Sequence, residues 1–281
     1  MKLIIHGGFF SESDTSADVK QAKQLALKTI CAQGYTYLKT HNAVDTATYV
    51  VSLLEDNPLF NAGTGSQIQS DGIIRMSASI MDGAQMKMSG VINIENIKNP
   101  IQVAQQLLDQ EDRFLSGKGA NAFAQSLGFE TYDPTIPQRL AEYQEKVKSS
   151  RTSTVGCVCI DQAQRLAAAT STGGKGFEIP GRVSDSATIA GNYANAFCAV
   201  SLTGVGEDII NAGMATKIVT RVTDGNSIER AFAVTFQELK SINGFAGAIG
   251  IDHGGNIFHQ QSHPTMVFAA FDGTNYEIFD E

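Results

Sequence analysis

Two stretches of this chain share one layout. Residues 154–161 (Thr-Val-Gly-Cys-Val-Cys-Ile-Asp) and 166–172 (Leu-Ala-Ala-Ala-Thr-Ser-Thr) read as two apolar strands joined by a short polar turn. Residues 248–257 (Ala-Ile-Gly-Ile-Asp-His-Gly-Gly-Asn-Ile) repeat the pattern of apolar strand, Asp, tight turn and return strand. Strand pairs this closely linked fold as antiparallel hairpins. Two helical patterns, at about 207–222 and 227–242, lie between them. Runs of strands followed by runs of helices, with no steady βαβ alternation, argue for an α+β fold with antiparallel sheets in layers.

The rest of the chain fits that class. Residues 2–6 form a short apolar run ending in Gly7-Gly8, which suits a buried first strand entering a turn. Val19, Ala22, Ala26 and Ile30 mark one face of a helix at 17–32. A second helix fits 42–54, with Asn42 at its N-cap, Ala43, Ala47, Val50 and Leu54 on one stripe, and Pro58 blocking continuation. Strands follow at 73–81 and 91–97, and helices at about 100–110, 119–127 and 137–147. The Pro-, Ser- and Thr-bearing stretch 130–153 is the best linker candidate. A length of 281 residues accommodates one large domain or two ordinary ones.

Charge narrows the function. With 29 acidic against 21 basic side chains the chain carries a net −8 and has no basic run, which argues against nucleic acid and anionic membranes as partners. The first strand is too short for a secretory apolar core, and no stretch approaches the roughly 20 apolar residues of a membrane span, so a soluble cytoplasmic protein is expected. Cys31, Cys157, Cys159 and Cys198 read as buried free thiols rather than metal ligands.

Phosphate-loop, serine-elbow and zinc-helix motifs are absent, and the histidines at 6, 41, 253, 259 and 263 show no metal spacing. Small polar residues packed among glycines stand out instead: Asn61-Ala-Gly-Thr-Gly-Ser66, Thr170-Ser-Thr-Gly-Gly174 and Thr203-Gly-Val-Gly-Glu207. Taken singly, each reads as a turn. Their order, together with Ile5-His-Gly-Gly8, the run from Leu54 to Ser66, Ser79-Ile-Met-Asp-Gly83, Thr154-Val-Gly156, the run from Ala167 to Gly174 and Pro180-Gly-Arg-Val-Ser-Asp-Ser186, resembles the plant-type asparaginase and isoaspartyl peptidase family of N-terminal-nucleophile hydrolases.

The resemblance implies a single-domain four-layer αββα sandwich spanning 1–281, made as a precursor that cuts itself between Ser153 and Thr154 into an alpha part (1–153) and a beta part (154–281). Thr154 would then be the nucleophile, activated by its own new α-amine, whose ordinary pKa is about 7.7 to 8.0. By the same resemblance Thr172 bonds the nucleophile, Thr203 and the Gly204 amide form the oxyanion hole, and Asn61 neighbours the nucleophile. Arg182 would hold a substrate α-carboxylate and Asp185 its α-ammonium, alongside substrate contacts from Thr203 and Gly204. Without the resemblance, Arg182 is a surface ion and Asp185 a helix cap. Family members also hold a structural sodium ion, here matched by Leu54, Glu55, Asn57, Phe60, Ala62 and Thr64, with no cofactor for catalysis and a dimer of cleaved units as the expected assembly.

The expected activity is hydrolysis of L-asparagine or β-aspartyl dipeptides. A glycosylasparaginase, a taspase-like endopeptidase and an uncleaved binding relative are the alternatives. Departures from the family pattern are Ser153 where glycine is common, Phe9-Phe10 after the first glycines, Ser77 in place of an aspartate and Ser184 in place of a glycine.

Overall fold

Strand β1 (Lys2–Phe9) is buried from Leu3 to Phe9 because both its faces are covered. In the computed structural model, which describes residues 1–9, 16–145 and 154–280, helices lie on one side of it and a second sheet on the other. Helices α1 (Ala17–Leu38) and α2 (Ala43–Glu55) follow, each opened by a side-chain cap: Ser16 accepts from the Val19 N–H and Asn42 from the Asp45 N–H. Next come β2 (Met76–Asp82), β3 (Lys87–Ile94), α3 (Pro100–Gln106), β4 (Phe114–Ser116), α4 (Gly117–Ser126) and α5 (Pro137–Gln144). The C-terminal half holds β5 (Thr154–Ile160), β6 (Leu166–Thr172), β7 (Asn192–Ala194), β8 (Cys198–Gly204), α6 (Gly206–Ala212), α7 (Met214–Thr223), α8 (Ile228–Ser241), β9 (Ala246–Asp252), β10 (Ile257–Gln261), β11 (Met266–Phe271) and β12 (Tyr276–Ile278).

Eight strands form one sheet in the order β12-β11-β1-β5-β6-β2-β3-β4, and four form another in the order β10-β9-β8-β7. Helices α1, α2 and α3 pack on the large sheet, α6, α7 and α8 on the small one, and the inner faces meet through β5, β6 and β1 against β8 and β9. The result is the expected four-layer αββα sandwich in one domain. Burial on both faces explains why β5, β6, β8 and β9 show no alternation of apolar and polar residues. Both hairpins read from the sequence are present as antiparallel pairs, β5 with β6 and β9 with β10.

Local boundaries differ where single residues intervene. The helix expected over 207–222 is two helices, because Gly213 takes a left-handed conformation (φ +58°) that ends α6 and opens α7. The strand expected over 91–97 runs instead from Lys87 to Ile94: Asn93, with positive φ, lies in a bulge between the Val91 and Ile94 pairs, and Asn96, also with positive φ, lies past the strand's end. Of the stretch read as a linker, residues 132–143 lie against the molecule: Pro134 O accepts from the Gly65 N–H (3.1 Å), Arg139 Nε donates to Gly65 O (2.9 Å) and Tyr143 stacks on Phe177. Phe10 and Ser153 lie outside the described residues. All four cysteines are buried and free, and burial pushes the Cys31 thiol up to about 12.

Candidate active site

Thr154 is the first residue of β5 and pairs in register with Thr172, the last of β6. Their hydroxyls stand 3.4 Å apart, and the Thr154 N–H points to Thr203 Oγ1 at 3.4 Å. Thr203 comes from β8 of the other sheet, so the three threonines meet where the two sheets face each other. All three are buried. Thr172 Oγ1 also accepts from the Gly174 N–H (3.1 Å), which ties its hydroxyl to the glycine turn that follows. Gly204 has φ +142°, and a Cβ there would sit 2.5 Å from Phe245 O, so only glycine lets β8 leave the sheet beside the threonines.

Asn61 is a stitch between loops. Its carbonyl accepts from the Gly173 N–H (2.9 Å), its Oδ1 from the Gln67 N–H (2.9 Å), and its Nδ2 donates to Gly174 O (2.6 Å). The side-chain amide thus fastens the turn after Thr172 rather than reaching Thr154 by a hydrogen bond. Upstream, the chain from Leu54 to Gly65 closes on itself: Glu55 O accepts from the Thr64 N–H (2.8 Å), Asn57 O from the Phe60 N–H (3.1 Å), and Gly63 (φ +54°) lets the backbone approach Glu55 O. The Glu55 side chain accepts from Ser171 Oγ (2.6 Å) and the Ile101 N–H (3.1 Å), and burial pushes its carboxyl up to about 8. Leu54, Phe60 and Ala62 are buried in the same loop.

The charged end of the site comes from the segment between Thr172 and Thr203 and from Glu207 just beyond it. Arg182 is mostly buried and places Nε and Nη2 on the two oxygens of Glu207 (2.9 and 3.0 Å), and Lys175 Nζ reaches Glu207 Oε1 (3.0 Å). These cations hold the Glu207 carboxyl down at about 2. Asp185 is not a helix cap: it opens a single 3-10 turn, and its carboxylate is sandwiched between the backbones of Gly191 and Gly206. Burial pushes it up to about 7, against a downward pull from Arg182. Its Oδ2 is buried without a hydrogen-bond partner.

A sequence model of the asparaginase family matches residues 1–279. The chain belongs to that family. It is 44% identical to the isoaspartyl peptidase/L-asparaginase of Synechocystis, over 97% of this chain and 88% of the relative. The isoaspartyl peptidase of Escherichia coli is 34% identical over 91% of this chain and 88% of that protein, and the plant-type L-asparaginase of Pyrococcus furiosus 33% over 95% of each.

In this asparaginase-family chain the fold brings together Thr154, Thr172 and Thr203, with Asn61 one hydrogen-bonded turn away and Arg182 near Asp185. What sequence reading underweighted is His6 and Ser201, and the ion pair of Glu207. His6 was one of five histidines without spacing, and its neighbours in space lie 148 and 195 residues along the chain. Among the described residues no three His, Cys, Asp or Glu side chains gather as metal ligands, and no helix is long and apolar enough to cross a membrane.

Gly156 shows how tightly β5 is seated. A Cβ there would lie 2.1 Å from Ser201 Oγ and 2.4 Å from His6 Nε2, both fully buried. Overpacking of this kind costs about 1 to 3 kcal/mol. Gly156→Ala is therefore expected to lower Tm by roughly 2 to 5 °C, measured by calorimetry against the wild type.

Proposed function

We propose that the chain is a threonine-nucleophile amidohydrolase that acts on L-asparagine and β-aspartyl dipeptides after cutting itself before Thr154. The observation that carries the reading is the convergence of Thr154, Thr172 and Thr203 at the inner faces of the two sheets, with the unpartnered carboxylate oxygen of Asp185 buried nearby in the clamp. In the precursor, Thr154 Oγ1 attacks the Ser153 carbonyl carbon, the Ser153–Thr154 C–N bond breaks to free the α-amine of Thr154 and leave an ester, and water hydrolyses that ester to part the two chains and restore the Thr154 hydroxyl. That amine then takes the hydroxyl proton as Oγ1 attacks the side-chain amide carbon of the substrate. Thr203 and the Gly204 N–H face the developing oxyanion, and Thr172 orients the nucleophile. The leaving ammonia or peptide amine departs with the proton, and water splits the aspartyl ester to release aspartate.

Substrate selection follows from charge. Asp185 supplies a buried carboxylate oxygen that a free α-ammonium would satisfy, which favours amino-acid-like substrates over internal peptide bonds. Arg182 faces the α-carboxylate with Glu207 bracing two of its nitrogens. The carbonyl-rich loop of Leu54, Glu55, Asn57, Phe60, Ala62 and Thr64 fits a hard monovalent cation such as sodium, since its donors are all oxygen and Gly63 draws Glu55 O inward. Sodium there would brace the loop that carries Asn61 and takes no part in the chemistry. The reading also carries a cytoplasmic enzyme assembled as a dimer of cleaved units, the assembly being checked by light scattering on the processed protein.

Thr203→Ala is the direct test of the oxyanion assignment. Loss of one such donor lowers kcat by about 10²- to 10³-fold. Steady-state release of ammonia from L-asparagine is the measurement, and an unchanged kcat in processed Thr203→Ala removes Thr203 from the oxyanion hole.

A further inference from the structure

The ladder between β1 and β5 stops two residues short of Thr154. Its last register pair is His6 with Gly156, after which β1 turns away at Gly8 (φ +90°). The Thr154 carbonyl is met instead by a side chain, His6 Nδ1 at 2.9 Å. A carbonyl only accepts, so Nδ1 carries the proton. Nε2 is then an acceptor, and Ser201 Oγ at 2.9 Å donates to it. Ser201 in turn accepts from Thr170 Oγ1 at 2.7 Å. Every proton in this line therefore points one way, from Thr170 through Ser201 and His6 to Thr154.

We infer that His6 is a positioning residue, held in one tautomer by Ser201 and Thr170, that replaces the missing β1 backbone donor and keeps the cut end of β5 in register. The inference rests on Thr154 being the nucleophile. Its reason is mechanical. Once the chain is severed before Thr154, that residue is a chain end, and chain ends fray unless tied down. Pairing with Thr172 restrains it on one side only, and His6 supplies the other. Full burial keeps the imidazole neutral, with its pKa pushed down to about 3, so the bond persists at every working pH. The absent side chain at Gly156 is what admits His6 and Ser201 this close to the strand.

The test compares His6→Leu, His6→Asn and Ser201→Ala with the wild type, each processed enzyme normalised by titration of acylated sites. Misplacing a reacting group by about 1 Å costs on the order of 100-fold, so His6→Leu is expected to lose about that factor in kcat with KM within about threefold. Asn presents an N–H where Nδ1 stood, and His6→Asn is expected to recover most of the loss. Equal kcat in the Leu and Asn variants, or wild-type kcat in His6→Leu, overturns the inference.

Nitrogen-15 NMR of His6 in the whole protein reads the tautomer independently of turnover. One protonated nitrogen, Nδ1, is expected from pH 5 to 9, with Ser201→Ala giving a mixture of tautomers and a severalfold lower kcat. A protonated Nε2 in the wild type, or Ser201→Ala with unchanged tautomer and kcat, overturns the inference even where His6→Leu fails to fold. Wild-type protein that cleaves itself but hydrolyses no β-aspartyl substrate overturns the substrate reading instead. The self-cleavage rates, expected in the order wild type, His6→Asn, His6→Leu, then decide the role of His6.

Discussion

Thr154→Ala is expected to remain a single chain under conditions in which the wild type yields residues 1–153 and 154–281, and to lose turnover by on the order of 10⁴-fold or more. Two losses coincide in one substitution. The hydroxyl that opens the Ser153 peptide is gone, so the α-amine is never released, and the nucleophile for the substrate is gone with it. No neighbour replaces it: Thr172 Oγ1 is held by the Gly174 N–H, and its own backbone nitrogen lies inside a strand and cannot become a free amine. Intact mass spectrometry followed over days, with an ammonia-release assay on the same samples, measures both. A wild-type chain that stays whole, or a variant that turns over normally, removes Thr154 from the centre of the mechanism. Thr154→Ser keeps the hydroxyl and the amine, and is expected to retain both reactions at reduced rate.

Asp185→Asn is expected to lower kcat/KM for L-asparagine by about 10²- to 10³-fold, mainly through KM, because it leaves the α-ammonium of the substrate opposite a neutral amide in a buried pocket. Its pH dependence is the sharper signature. The carboxyl of Asp185, raised by burial to about 7, must be ionised to hold an ammonium, so wild-type kcat/KM rises as pH passes 7. That limb is lost in the variant, and only the rise due to the Thr154 amine, near 7.7 to 8.0, is left. Stability moves the opposite way. A carboxyl whose folded pKa exceeds its ordinary 3.8 binds protons more tightly when folded, so the wild type loses stability as pH climbs from about 4 to about 7. The Asn variant lacks that decline, and its Tm relative to the wild type is expected to be more favourable at pH 8 than at pH 4. A pH profile identical to the wild type's removes Asp185 from substrate binding.

The buried carboxyl of Asp185 is held at the expense of stability. Asp185 is buried with an unpartnered oxygen, and the same region contains unpartnered buried hydroxyls on Ser184 and Ser186. Arg182 escapes that cost by resting on Glu207, which is half exposed and already paired with Lys175. Glu207 is half exposed, so water screens this pair, and its value is orientation of the guanidinium more than stability.

Much of this is legible in the sequence. The two hairpins, the helices between them and the unbroken apolar strands pointed to stacked antiparallel layers, and β5, β6, β9 and β10 stand close to where the apolar runs placed them. The four cysteines are the buried thiols their apolar setting implied. Thr154, Thr172, Thr203, Arg182 and Asp185 are the residues the family resemblance implies; the fold brings the three threonines together from β5, β6 and β8 and sets Arg182 near Asp185 in the loop after β6. Less legible were the break at Gly213, where one glycine overrides a helical pattern, and the docking of 132–143, whose polar composition reads as a tether but whose Arg139 and Tyr143 lie on the loops beside the site.

Periodicity and turn chemistry act over a few residues, so they are written in the sequence itself, and they determined the strands, the layers and the ends of the strands where small polar residues collect. Which of those ends meet was decided by tertiary structure. His6, Thr170 and Ser201 lie on β1, β6 and β8, and only the register of β1 on β5 and the facing of the two sheets bring them to the Thr154 carbonyl. A histidine ending an apolar strand looks the same in sequence whether its ring meets solvent or a carbonyl 148 residues away, because hydrogen-bond partners are chosen by packing and leave no local pattern.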